Sequence, residues 1–267
     1  MRRIYFFVCI IVLCCINSAQ AHLPCPVNAR GVLQCDAEVK SSYKKSVSLH
    51  FDVNSREESY AARMLTKSLQ ERGYVINANS GDYSIKFFID KRGYDAEAFA
   101  IIPEGNVIKI IGGDYRGLIY GALSLSEDLR NEILLDNAVA RSEKPKLMLR
   151  AVKYDLPWDT YRHSEALNLH DETCRDPKYW EAFLDMMAEN RLNALSLWNL
   201  HPYPFMIIPK NYPEASPFTK EEFKEWQKLF QSIIGMAAER AIETYLIPFH
   251  IFVTPEFSVA HNVAMDN

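Results

Sequence analysis

The sequence predicts an α/β protein in two successive units, an α+β layer followed by a parallel β/α array. Three observations carry this reading. In the first half, apolar residues alternate with polar ones in short runs, two of them flanking the turn sequence Glu104-Gly105-Asn106. In the second half, short and nearly continuous apolar runs are separated by long amphipathic stretches, the signature of buried parallel strands joined by helices. Between the halves lies the polar stretch Ala140-Arg141-Ser142-Glu143-Lys144-Pro145-Lys146, the predicted domain boundary.

The chain opens with Met1-Arg2-Arg3, an apolar run from Ile4 to Ile16 and Ala19-Gln20-Ala21. That order predicts a secretory signal peptide over residues 1–21, cleaved after Ala21. The run is too short to cross a hydrocarbon core of about 30 Å, so no stable membrane insertion is expected after cleavage and the protein is predicted to be secreted or periplasmic. A lipoprotein is the alternative because Cys14 and Cys15 end the run, but Leu13 stands where a small residue is wanted. The formal net charge of −4 becomes more acidic once Arg2 and Arg3 leave, which argues against nucleic acid as a partner. In an oxidising compartment Cys25 and Cys35 either close a short loop through Pro26 and Gly31 or remain free, and Cys174 is the odd thiol, placed beside Trp180.

After an N-terminal segment over residues 22–45, the first unit is expected over residues 46–145. Val47, Leu49, Phe51 and Val53 have the period of a half-buried strand. A helix follows, capped by Ser55, with Glu57 and Glu58 in its first turn, Ala61, Met64, Leu65 and Leu69 on one face, and Gly73 ending it. Tyr83 to Asp90 is strand-like, and Phe99 to Pro103 with Val107 to Ile111 predict a hairpin. A second helix is expected from Tyr115 to Asn131, its stripe supplied by Leu118, Ile119, Ala122, Leu123, Leu125 and Leu129.

The second unit is expected over residues 146–267. Leu147 to Leu156, Ala194 to Leu200 and Thr244 to Val253 read as strands. One helix opens at Asp176-Pro177 and runs through Trp180, Phe183, Leu184, Met187 and Leu192; another starts near Thr219 and carries Phe223, Trp226, Leu229, Phe230, Ile233 and Ala237.

Several chemistries are argued against. Gly112-Gly113-Asp114-Tyr115-Arg116-Gly117 lies between a strand and a helix, yet it lacks both a following Lys-Ser/Thr pair and the Gly-x-Gly-x-x-Gly spacing, so it reads as a structural turn, with Gly117 and Gly121 letting the helix approach the sheet. His163, His170 and Cys174 fit no zinc-site spacing and read as loop residues. No Gly-x-Ser-x-Gly elbow is present. No metal and no cofactor is expected.

The segment Val107 to Leu125, Ile-Ile-Gly-Gly-Asp-Tyr-Arg-Gly-Leu-Ile-Tyr-Gly-Ala-Leu at its centre, resembles the end of the domain preceding the barrel in β-N-acetylhexosaminidases and related α-glucuronidases. Leu147 to Asp155 is similar to the first barrel strand of those enzymes, Asn190 to His201 to the second, and Tyr245 to His250 to the third. The resemblance implies a zincin-like α+β domain, without peptidase activity because His-Glu-x-x-His is absent, followed by part of a (β/α)8 TIM barrel. It implies a glycoside hydrolase with a carbohydrate substrate, and it matches Arg150 to the arginine that grips the terminal sugar.

A barrel carries function at the carboxyl ends of its strands, where Asp155, Trp158, Asn199, His201, His250 and Glu256 are expected. Trp158, Trp198 and Tyr203 are candidate aromatic faces for sugar, with core packing the alternative for Trp198, loop closure for His201 and a structural ion pair for Arg150. Hexosaminidases place an acidic Asp-Glu pair after the fourth strand, and the chain is expected to stop before it; Asp171-Glu172 follows the first strand and reads as a solvated loop or cap. Phe249 stands where those enzymes usually carry Glu, which leaves an α-glucuronidase-like or other glycosidase open. The two functional expectations are a secreted glycoside hydrolase lacking its catalytic acids and a non-catalytic glycan-binding protein.

Overall fold

A computed structural model describes residues 45–77, 80–158, 165–199, 203–248 and 253–265, and Lys44–Asn267 cluster as one compact unit. Residues 1–44, Cys25 and Cys35 among them, lie outside the described residues, as do His163, His201, His250 and the side chain of Tyr203.

The first sheet begins with β1 (Ser46–His50), followed by α1 (Arg56–Glu71), the short β2 (Val75–Ile76) and β3 (Tyr83–Ile89). The Ser55 side chain accepts the Glu58 N–H, satisfying one of the orphan donors at the start of α1. Gly73 then turns the chain at φ +84°, a conformation that only glycine adopts without strain. The expected hairpin is β4 (Phe99–Glu104) and β5 (Val107–Gly112), and α2 (Tyr115–Arg130) follows with Asp114 capping it through the Gly117 N–H. β6 (Arg141–Glu143) pairs antiparallel with β4, so the polar stretch read as a boundary contains an edge strand. The strand order is β2-β1-β3-β5-β4-β6. Tyr60, Leu65 and Leu69 of α1 and Leu118 and Leu125 of α2 share a buried core with Ile85, Ile101, Ile108 and Ile110. A Cβ on Gly121 would stand 2.6 Å from Ile110 Cγ2, and one on Gly117 would run into the Ala98 carbonyl, so both glycines serve close helix–sheet packing as the sequence predicted.

The second sheet is the parallel set β7 (Ala151–Asp155), β8 (Ala194–Asn199) and β9 (Glu243–Pro248). Between β7 and β8 lie α3 (Glu165–Arg175) and α4 (Pro177–Glu189); α5 (Lys220–Glu239) joins β8 to β9, and α6 (Pro255–His261) follows β9. Asp176 caps α4, and Thr219 with Glu222 forms a capping box on α5. Two expectations are corrected. Leu147, Met148 and Leu149 are exposed and precede the strand, because the β8 partner register begins at Ala151↔Ala194. Asp171, Glu172, His170 and Cys174 lie on a helix instead of a loop, where Asp171 forms an i,i+4 ion pair with Arg175 at 3.0 Å.

Alternation sorts this sheet into two faces. Tyr154 packs against Trp180 and Phe183 of α4, and its register partner Leu197 is fully buried in the same core, so this parity faces the helices. The other parity brings Lys153, Asp155, Ser196, Trp198, Tyr245 and Ile247 onto the opposite face. Cys174 is buried beneath the helical side, its Sγ 3.1 Å from the Tyr154 hydroxyl and its carbonyl accepting the Trp180 indole N–H at 2.7 Å. Burial pushes its thiol pKa up, against an opposing hydrogen bond from Tyr154, and keeps the sulfur in its unreactive protonated form.

The two sheets share polar anchors. Asp185 of α4 accepts the Tyr60 hydroxyl of α1 at 3.0 Å and the Arg240 Nε at 2.8 Å, while the Arg240 guanidinium, with no solvent exposure, lies 4.7 Å over the Tyr60 ring.

Candidate functional site at the strand ends

The two ends of the parallel sheet have opposite chemistry. At the amino ends the carboxylate of Glu97 is central; the residue is 9% exposed and stands in the left-handed region at φ +63°. Its Oε1 accepts Arg116 Nη1 at 2.6 Å and Asn193 Nδ2 at 2.8 Å, and its Oε2 accepts Arg150 Nη2 at 2.6 Å. Arg150 also donates to the Tyr120 hydroxyl at 2.9 Å and to the carbonyls of Leu147 and Arg191, and Asn193 donates to the Met148 carbonyl at 2.6 Å. Arg116 completes the set through the Ala241 carbonyl at 2.7 Å and Glu243 at 3.2 Å. One carboxylate on the first sheet's side therefore ties together the residues that precede β7, β8 and β9. Burial works to raise the Glu97 pKa, and the hydrogen bonds from Asn193, Arg116 and Arg150 outweigh it and hold the carboxyl below its ordinary range.

This placement corrects the expectation for Arg150. The residue stands immediately before β7, at the amino end of the strand, and its guanidinium is consumed by Glu97, Tyr120 and two carbonyls. A barrel's chemistry lies at the other end. The signal was in the sequence order, since a residue preceding a strand marks its amino end. Glu97 and Asn193 were not anticipated, because nothing in a one-dimensional pattern distinguishes a buried polar partner from a loop residue.

At the carboxyl ends the polar groups are less fully served. Asp155 closes β7 on the face opposite the helices; its Oδ1 is an ion-pair neighbour of Lys153 Nζ at 3.1 Å but has no aligned hydrogen bond among the described residues. The Trp158 indole N–H is buried and likewise lacks a partner among the described residues. Buried donors are nearly always satisfied, so each exception asks for a reason. Trp158 packs 4.9 Å from Trp226 and edge-on to Phe230, and it borders a cavity of about 300 Å³ with Phe205, Phe218, Pro255 and Glu256. These residues come from the segments after β7, β8 and β9, so one cavity gathers all three strand exits. Asn199 ends β8 fully buried, and Trp198 is 4% exposed with Lys153 Nζ 4.9 Å over its ring. Asp155, Trp158 and Glu256 thus lie at one end of the sheet, with Asn199 at the same end of β8. Phe205, Phe218 and Trp226 are additions; the sequence pattern marks Trp226 only as part of a helical packing stripe. Among the described residues no cluster of three or more metal-binding side chains occurs, and no helix is long and apolar enough to cross a membrane.

Neither the family models nor the curated proteins compared with the chain match it. Solved structures do. A GH138 enzyme described as targeting pectin rhamnogalacturonan II is 25% identical with a TM-score of 0.72, covering 82% of this chain and 33% of its own. The β-hexosaminidase of Streptomyces plicatus is 14% identical with a TM-score of 0.51, covering 79% of this chain and 42% of its own. The GH20 β-N-acetylhexosaminidase of Streptomyces coelicolor is 14% identical with a TM-score of 0.50, covering 79% and 43%. The chain has a glycoside hydrolase fold, and it spans about a third of the length of the pectin-targeting enzyme.

Proposed function

We propose that the chain is the amino-terminal portion of an exported glycoside hydrolase acting on plant-type polysaccharide, and that glycan is held at the carboxyl ends of β7, β8 and β9. The observation that carries this is the cavity gathering the three strand exits, with aromatic walls and the indole N–H of Trp158, which has no partner among the described residues. Sugars offer C–H patches to rings and hydroxyls to polar groups, and such a lining supplies both. The likeness to a pectin-targeting enzyme over most of this chain supports polysaccharide as the substrate class. Asp155, Trp158, Asn199 and Glu256 are the described contact residues of this reading; His201 and His250 lie outside the described residues and join it only by following β8 and β9 in sequence. Arg150 does not. The sheet bearing α1 and α2 together supports the zincin-like reading of the first unit, and the leader supports export.

Tryptophan fluorescence tests the reading, since Trp158 and Trp226 both line the cavity. Rhamnogalacturonan II oligosaccharides are expected to shift the emission saturably, with the Trp158→Phe variant weakened about tenfold. Absence of any shift with pectic, chitin-derived and other glycan oligomers would reject it.

A further inference from the structure

A second cavity of about 510 Å³ adjoins the one at the strand exits, and Arg175, Phe218 and Trp226 line both. The two therefore lie side by side around the same three side chains, forming an inner and an outer arm from the strand exits to the flank between the end of α3 and the first half of α5. The outer arm is finished by Glu222, Glu225 and Leu229. Arg175 forms the waist. Its guanidinium lies 4.6 Å over the Trp226 ring and is braced by Asp171, so its orientation is fixed while half its side chain stays in water.

The chemistry of the outer arm is that of a hydroxyl-bearing ligand. Phe218 and Leu229 offer an apolar wall, Glu222 keeps one carboxylate oxygen beyond the one it gives to the Thr219 capping box, Glu225 keeps one beyond the one it gives to Lys228, and Arg175 supplies donors. Asp171, Glu222 and Glu225 stand against two cations here, Arg175 paired with Asp171 and Lys228 paired with Glu225 at 2.8 Å, so the acidic groups outnumber the basic ones and the arm favours a neutral ring over an anion. Either arm alone falls in the size range of a small-ligand site.

We infer that these two arms seat a glycan of at least two sugar rings, one in the cavity beside Trp158 and a second, uncharged ring in the outer arm between Phe218 and Glu225. The inference rests on the proposed glycan site and deepens it.

Titration of the whole chain with pectin-hydrolysate oligosaccharides fractionated to one, two, three and four rings tests it, read by tryptophan fluorescence and by calorimetry. The expected result is a gain of about tenfold in affinity on going from one ring to two or three. Glu225→Ala, at an exposed position, is expected to remove most of that gain and leave single-ring binding as it was. Arg175→Ala, at the waist, is expected to weaken both lengths. Single-ring binding with no gain on lengthening overturns the inference and leaves the proposed function standing. A length gain indifferent to Glu225→Ala and Arg175→Ala places the second ring elsewhere and overturns it too. A gain confined to fractions whose added ring is acidic overturns the neutral-ring assignment. Failure of every fraction to bind overturns the proposed function itself.

Discussion

The amino and carboxyl ends of the same three strands differ in how their polar groups are served. At the amino ends Glu97 collects three donors, and both arginines around it are engaged further by carbonyls or hydroxyls. At the carboxyl ends Asp155 Oδ1 and the Trp158 N–H are buried with no aligned partner among the described residues. A satisfied buried network fixes geometry, and an unsatisfied one keeps hydrogen-bonding capacity for something else. The lesson is a division of labour along a single sheet. One end is built for position, and the other is the end we propose for contact.

The largest expected effect comes from breaking the satisfied end. Glu97→Ala leaves Arg150 without a carboxylate partner and Arg116 with only the more exposed Glu243, and should lower the unfolding free energy by about 3–5 kcal/mol, measured by urea denaturation. Acid should act in the same direction. The folded-state pKa of Glu97 is depressed, so its contribution is fully present above the ordinary carboxylate range and is lost as pH falls through the lowered value. Stability plotted against pH should therefore fall on the acid side, and Glu97→Gln should flatten that limb.

Smaller losses are expected where geometry alone is at stake. Gly121→Ala pushes a methyl to 2.6 Å from Ile110 Cγ2 and should cost about 1–3 kcal/mol in the same assay. Thr219→Ala removes the cap of α5 and should cost about 1 kcal/mol, visible as a lower thermal midpoint.

Much of this fold was legible in the sequence because capping and alternation are local. Ser55, Asp114 and Thr219 start helices within hydrogen-bond reach of their own backbone, and the hairpin around Gly105 needs only its two strands. What was illegible depended on distant partners. Arg141–Glu143 has no apolar pattern and becomes a strand only because β4 has a free edge for it. Leu147 to Leu149 are apolar yet remain outside the strand, since no partner on β8 lies opposite them. The site was half legible. Asp155 and Trp158 follow from strand ends, whereas Phe205, Phe218 and Trp226 are assembled from separate loops and a helix by the tertiary fold.

The most direct measurement sets one residue from each end side by side, Trp158→Phe against Arg150→Lys, each assayed for urea stability and for binding of rhamnogalacturonan II oligosaccharides. Trp158→Phe removes an N–H with no partner among the described residues and part of the ring packed on Trp226 and Phe230, and should cost only about 1 kcal/mol of stability while weakening binding about tenfold. Arg150→Lys should lose stability, because an ammonium cannot replace the guanidinium fork shared by Glu97, Tyr120 and the carbonyls, and should bind glycan as the parent does. The reverse outcome, with binding lost at Arg150 and kept at Trp158, would contradict the assignment of contact to the carboxyl ends.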